Sequence, residues 1–100
     1  MAIGKPLLRK QEASAGSKTR VQGVTGDQTV KATAGILHRI VVTNAAAAVG
    51  SITLKDGATT LGVFEVGVDT TLTLVFGCNM DTSIIINPSA STMDALVIWD

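Results

Sequence analysis

The stretch VKATAGILHRIVVTN, residues 30–44, decides the fold that this sequence predicts. Five of the seven positions from 36 to 42 are Ile, Leu or Val, and only His38 and Arg39 interrupt them. β-Branched side chains suit a pleated strand and lose rotamer freedom in a helix, so a long central strand is expected here. Because side chains alternate across a strand, its two faces are expected to carry Ile36, His38, Ile40 and Val42, and Leu37, Arg39, Val41 and Thr43, respectively.

Short alternating segments lie on both sides of the central strand. Further strands are expected over 19–25, 28–33, 51–56, 61–66, 70–76, 82–87 and 95–99. Residues 45–49 are expected to be a connection and residues 77–80 a loop or a short edge segment. Asp56-Gly57 is typical of a hairpin turn, in which Asp56 is expected to form hydrogen bonds with the local backbone. About eight short strands without a helix predict an all-β protein, a jelly-roll or Greek-key-like β-sandwich.

The charges divide the chain into a basic beginning and an acidic remainder. A length of 100 residues predicts one folded domain. We expect residues 1–18 to be a basic, flexible N-terminal arm and residues 19–100 to be the β-sandwich. The arm is either a disordered terminus or a segment that orders on a neighbouring subunit. The candidate residues for contact with a neighbouring protein are the cations of this segment and the next one in the chain, namely Lys5, Arg9, Lys10, Lys18 and Arg20.

The sequence offers no catalytic or metal-binding constellation. It has one histidine, His38, and one cysteine, Cys78, which lie far apart in the chain. A metal site needs three or four ligands, and a nucleophile needs a base beside it. We therefore expect His38 to be a hydrogen-bonded core residue and Cys78 a small buried hydrophobe. The prediction is a protein without enzymatic activity, cofactor or metal.

Several classes of partner are also disfavoured. Glycan and single-stranded nucleic-acid sites rely on exposed aromatic side chains, and this chain has only Phe64, Phe76 and Trp99. No apolar run is long enough to cross a membrane. A single cysteine excludes an internal disulfide and indicates synthesis in a reducing cytosol. We therefore expect neither nucleic acid nor a membrane as a partner.

Some predicted strands are apolar on both faces, and such strands must be covered on both faces. In a small sandwich without helices the cover would be another copy of the chain, which predicts a homo-oligomer. The alternative is that β-bulges shift the register so that one face serves throughout. In the last strand either Leu96 and Ile98 or Val97 and Trp99 would face outwards. The candidate interface residues are Leu37, Val41, Ile85, Val97 and Trp99.

Three segments together carry a family resemblance: VKATAGILHRIVVTN, VGSITLKDGATTLGVFEV and MDTSIIINPSASTMDALVIWD. Over residues 28–100 they resemble small virion proteins of tailed bacteriophages, such as head decoration (cement) proteins. The resemblance implies a non-enzymatic, often trimeric protein on the particle surface, with the major capsid protein or another virion protein as partner. A tail, collar or fibre-associated module that binds a host or a glycan is the alternative. The shared positions are core and turn positions, so no functional residue carries over.

Overall fold

The computed structural model describes residues 16–100, and this part of the chain forms eight β-strands and no helix. In chain order the strands are β1 (Ser17–Gln22), β2 (Gln28–Lys31), β3 (Gly35–Asn44), β4 (Gly50–Asp56), β5 (Thr59–Val66), β6 (Thr70–Met80), β7 (Ile84–Pro88) and β8 (Met93–Trp99). The connection at residues 45–49 contains no strand, as expected.

The strands form two antiparallel sheets of four strands each. The first sheet has the order β1-β8-β3-β6 and the second sheet the order β2-β7-β4-β5. The pairs β4–β5, β3–β6, β2–β7 and β1–β8 nest within one another, as in one long hairpin folded over on itself. The all-β sandwich expected from the sequence is confirmed, and the nested pairing is compatible with a jelly roll.

The core is the set of apolar side chains that the two sheets turn towards each other. Alternation places every second side chain of a strand in this layer and the others outside it. The buried apolar residues are Val21, Leu37, Ile40, Val42, Ile52, Leu54, Val66, Met80, Ile84, Ile86, Met93, Ala95 and Val97. Every strand except β2 contributes at least one of these buried residues, and half-buried side chains of β2 and β6 pack against the same cluster.

A bulge at His38 reverses the predicted facing of the first part of β3. Leu37 pairs with Trp99 of β8, whereas Arg39 pairs with Ile98, so His38 is an extra residue on β3. Leu37 consequently faces the core and is fully buried. The expectation that Leu37 lies on a subunit-facing surface is wrong, because one inserted residue moves a side chain to the opposite face.

The same bulge removes His38 from the core. Its side chain is 32% exposed, and its Nε2 atom lies 2.8 Å from Oδ2 of Asp100. His38 is therefore hydrogen-bonded, as expected, but at the surface rather than inside. Cys78 is half-buried against the core.

The last strand resolves the choice that the sequence left open. β8 turns Val97 into the core, where it is fully buried, and leaves Leu96 and Ile98 on the outside. The expectation that Val97 contributes to a subunit interface is therefore wrong. Trp99 is half-buried against the core, and its Nε1 atom donates a hydrogen bond to Oγ1 of Thr19 at 2.9 Å.

The sixth strand is longer than the sequence predicted. β6 continues to Met80, so residues 77–80 belong to an edge strand. Two of its residues, Phe76 and Gly77, oppose His38 where the β3–β6 register shifts. Gly77 has a φ of 62°, a left-handed conformation that glycine adopts without steric cost, which allows the strand to continue through the irregularity.

Asp56 connects the β4–β5 hairpin to the β6–β7 turn. Its carboxylate accepts hydrogen bonds from the backbone amides of Asp81 and Thr82, both at 2.8 Å, and of Ser83 at 3.2 Å. These three donors hold the pKa of Asp56 below its usual value, the Asp81 amide contributing most. We expected Asp56 to bond within its own turn; instead it fixes a neighbouring one.

Asn44 performs a similar role at the opposite end of the sandwich. It is fully buried, and its Nδ2 atom donates to the carbonyl oxygens of Ala48 at 2.9 Å, Val66 at 3.2 Å and Gly67 at 3.2 Å. Its Oδ1 atom accepts a hydrogen bond from the amide of Ala46 at 3.2 Å. The side chain therefore joins the alanine-rich connection after β3 to the end of β5.

Candidate functional site

The outer face of the first sheet carries four neighbouring apolar side chains, Val41, Val75, Leu96 and Ile98, which we call the apolar patch. They come from β3, β6 and β8, whose alternation turns them away from the core. Val75 is 78% exposed, and the other three are half-buried. An apolar surface that water can reach is a frequent mark of an interaction site.

The strand register explains why these side chains form one surface. Val41 of β3 lies opposite Leu96 of β8, and Arg39 of β3 lies between Ile98 of β8 and Val75 of β6. Side chains directly opposite each other on one face have Cβ atoms about 5 Å apart. Val41, Leu96 and Ile98 are therefore continuous across β3 and β8, and Arg39 separates Ile98 from Val75, the fourth member of the apolar patch.

Cations lie beside the apolar patch and within it. The outer face of the first sheet carries three of them, Lys18, Arg20 and Arg39, and the carboxylate of Asp94. The Arg20 guanidinium donates to both carboxylate oxygens of Asp94, its Nε atom at 3.0 Å from Oδ1. This hydrogen bonding lowers the pKa of Asp94. Within residues 16–100, Lys18 and Arg39 form no ion pair, so the surface has an excess of positive charge.

The outer face of the second sheet is largely polar at its centre. Lys55 Nζ and Asn87 Nδ2 each donate to the carboxylate of Asp27, both at 2.9 Å, and these bonds lower the pKa of Asp27. Ile85 lies between Thr29 and Lys55 on this face and is half-buried. The two outer faces therefore differ at their centres, where the first carries the apolar patch and the second is largely polar.

A second exposed apolar surface follows the edge strand β5. Leu61 is 50% exposed and Val63 is 61% exposed, and Glu65 continues the same outward-facing row. We call these three residues the β5 strip. β5 is the last strand of the second sheet, and among residues 16–100 it pairs only with β4. Within the described chain, Glu65 forms no ion pair.

One end of the first sheet carries a polar cluster around Asp100. Besides the contact with His38, the backbone oxygen of Asp100 accepts a hydrogen bond from Lys31 Nζ at 3.0 Å. The same Lys31 Nζ lies 5.3 Å from the centroid of the Trp99 ring, a cation–π contact. These contacts hold the residue after β8 against β3 and β2. In residues 16–100 no three His, Cys, Asp or Glu side chains are placed to hold a metal ion.

The structure separates the residues that the sequence analysis grouped as an interface. Val41 belongs to the apolar patch, whereas Ile85 lies on the other outer face and Trp99 packs against the core. Leu37 and Val97 lie in the core.

The cations that we grouped as arm contacts also divide. Lys18 and Arg20 belong to β1, so Lys18 is part of the sheet rather than of the arm. Lys5, Arg9 and Lys10 lie outside the described residues.

Val75 is the residue of the apolar patch that the sequence analysis did not name as a candidate. The alternation in the segment TTLTLVF, residues 70–76, already turned Leu72, Leu74 and Phe76 inwards and therefore Val75 outwards. The position of Val75 near the outward-facing residues of β3 and β8 depends on the order of the strands in the sheet. That order could not be predicted from the segment alone.

Comparisons with known proteins identify no family. No family model matches the chain, and no curated protein matches it. Among solved structures, the X-ray structure of WlaRA, a TDP-fucose-3,4-ketoisomerase from Campylobacter jejuni, is 14% identical with a TM-score of 0.39. The match covers 84% of this chain and 58% of that one, so this chain spans less than two thirds of that protein. A likeness at this level carries no argument about function.

The described residues contain no helix that is long and apolar enough to cross a membrane.

Proposed function

We propose that this chain is a non-enzymatic structural protein of a tailed-bacteriophage virion, a capsid decoration (cement) protein that binds the outer head surface. The proposal rests on the sequence resemblance and on one structural observation in particular. That observation is the apolar patch, a partly exposed apolar surface with cations beside and within it, on one face of a sandwich whose other face is polar at its centre. Such a surface supports binding to a protein neighbour.

In this proposal the protein stabilises the particle through burial of apolar surface at joints between subunits. The chain acts as a homo-oligomer, with a trimer as the state that the resemblance implies. Each contact is weak, and repetition around a particle provides avidity without a strong single site. The basic residues Lys5, Arg9 and Lys10 contact the major capsid protein or a neighbouring copy, because cations steer association with acidic surfaces.

The fold is compatible with this role. Nested antiparallel pairing produces a rigid sandwich, and double-sheet jelly rolls are found among viral capsid domains. Two long-range ties, at Asn44 and Asp56, fix the turns at opposite ends of the sandwich. A stiff module that presents one apolar face loses little conformational entropy on docking.

The test uses a phage whose genome encodes this chain. Heads lacking the protein are prepared from a gene deletion and mixed with the purified full-length chain, and bound protein is measured by co-sedimentation. We expect saturable binding to heads and greater resistance of the heads to heat. Electron microscopy with labelled protein then locates the binding site.

Label on the tail, collar or fibres would favour the alternative role as an adhesion module and contradict decoration of the head. Absence of the protein from purified wild-type particles would contradict any virion role. Both outcomes can be read independently of the oligomeric state of the free protein.

A further inference from the structure

The apolar patch and the β5 strip are complementary. Each carries exposed apolar side chains, and their charges are opposite. Arg39 lies in the middle of the apolar patch, and Lys18 lies beside Ile98 at its margin. Glu65 ends the β5 strip beyond Leu61 and Val63.

The charges decide which surfaces can meet. Within residues 16–100, neither Arg39 nor Glu65 has an ion-pair partner. Docking of two apolar patches against each other would bring together the cations of both copies, and docking of two β5 strips would do the same with Glu65. Like charges opposed across an interface are destabilising, whereas the patch against the strip brings unlike charges together.

We propose that the β5 strip of one copy docks on the apolar patch of a second copy, with Glu65 of one facing Arg39 of the other. This inference rests on the proposed homo-oligomer and names the surfaces that form it. Leu61 and Val63 then cover the apolar patch, including Val75, which is 78% exposed in the single chain. The apolar patch of each copy is therefore covered by another copy of the same chain.

The geometry of the two surfaces gives the assembly its type. The patch lies on the outer face of the first sheet, and the strip lies on an edge strand of the second sheet. A contact between two different surfaces joins copies head to tail, and such a contact closes into a ring when its rotation permits. In a ring every copy uses both surfaces, so no apolar patch remains uncovered. A cyclic trimer is one such ring.

Charge reversal tests the contact. The variants are Glu65→Lys, Arg39→Glu and the double variant, and their mass is measured by light scattering after size exclusion across a range of protein concentrations. We expect each single reversal to weaken association by at least about tenfold, because it opposes two like charges. The double variant again opposes unlike charges and is expected to recover most of the association.

Matched control variants introduce the same charged residues at a position outside both surfaces. Thr29 is exposed on β2, which lies at the opposite edge of the second sheet from β5, so Thr29→Lys and Thr29→Glu are expected to leave the mass unchanged. Thermal unfolding checks that each variant is folded, and a midpoint close to that of the wild type is expected because the substituted side chains are exposed.

The outcomes separate this contact from the proposed function. An oligomer that withstands both single reversals, or one that the double variant fails to restore, overturns the patch-to-strip contact and leaves the homo-oligomer standing. A wild-type chain that is monomeric at every concentration overturns both. A monomer whose binding to heads is lost in Arg39→Glu identifies another virion protein as the occupant and also overturns the contact.

Discussion

Arg39 lies directly opposite Val75 in the β3–β6 pair, on the outer face of the first sheet. A cation is thereby placed between an almost uncovered valine and Ile98 of β8. In the proposed contact, a second copy of the chain covers these apolar atoms and supplies the carboxylate of Glu65 to Arg39.

Replacing Val75 with lysine tests the apolar patch. We expect Val75→Lys to change the free energy of unfolding by no more than about 0.5 kcal/mol, because the side chain is exposed. Its association is expected to weaken by at least about tenfold, because a charge would have to be desolvated at the contact. Thr29→Lys, at the opposite edge of the second sheet from the β5 strip, is the control. Equal effects of the two variants would show that the position of the charge is irrelevant.

The bulge at His38 is tested by comparing two neighbouring truncations. Leu37→Ala is expected to lower the free energy of unfolding by about 2–5 kcal/mol, because Leu37 is fully buried. Val41→Ala, on the outer face, is expected to cost less than about 1 kcal/mol. Urea denaturation measures both. A larger loss of unfolding free energy for Val41→Ala than for Leu37→Ala would mean that β3 alternates without a bulge and that Leu37 faces outwards.

The sequence predicted the positions of the strands better than it predicted which side chains of each strand point into the core. Alternation in segments such as 51–56 and 70–76 reports burial on one face, and the structure confirms strands at both places. A bulge leaves no such pattern, because His38 is an ordinary polar residue within an apolar run. The expected facing of Leu37 was wrong for that reason. Val97 was assigned outwards because the apolar run in β8 cannot itself show which alternate set is inside.

The ties made by single polar side chains could not be predicted either. Asp56 was expected to serve its own turn, but its carboxylate bonds to amides 25 to 27 residues away. Asn44 reaches the backbone of Gly67, 23 residues away. Contacts of this kind form because strands of the two sheets terminate at the same end of the sandwich. The local sequence pattern of one segment does not show which strands end together.

Asn44 is expected to be sensitive to loss of its donor. Asn44→Ala should lower the free energy of unfolding by about 1–3 kcal/mol, since buried carbonyl oxygens lose their hydrogen bonds. Asn44→Asp should cost more, because a buried carboxylate would face the carbonyl oxygens of Val66 and Gly67 without donating to them. Urea denaturation at neutral pH measures both variants. A tolerated aspartate would contradict the donor role.

Acid is expected to destabilise the fold. The pKa values of Asp27, Asp56 and Asp94 are lowered in the folded chain. A lowered pKa contributes stability that is complete above the unfolded value of about 3.9 and is lost as the pH falls through the folded value. The midpoint temperature of thermal unfolding should therefore decrease when the pH is lowered below about 4. Asp56→Asn should lower the midpoint at neutral pH and flatten its acid dependence, and an unaltered acid profile would contradict this role of Asp56.

Removal of residues 1–15 tests the proposed role of the basic arm. These residues precede β1, which begins at Ser17, so the truncated chain is expected to fold with an unchanged thermal midpoint. Attachment to heads should weaken and become less dependent on salt, because Lys5, Arg9 and Lys10 are lost. Replacing these three residues with alanine in the full chain is the matched control. Unchanged attachment to heads after loss of these cations would contradict a role of the basic arm in binding.

The most direct measurement for the account as a whole is the mass of the purified full-length chain in solution, determined by light scattering. The account predicts a discrete assembly at micromolar concentration, three times the chain mass of 10.3 kDa for the proposed trimer. A chain that keeps the monomer mass at every concentration would contradict it.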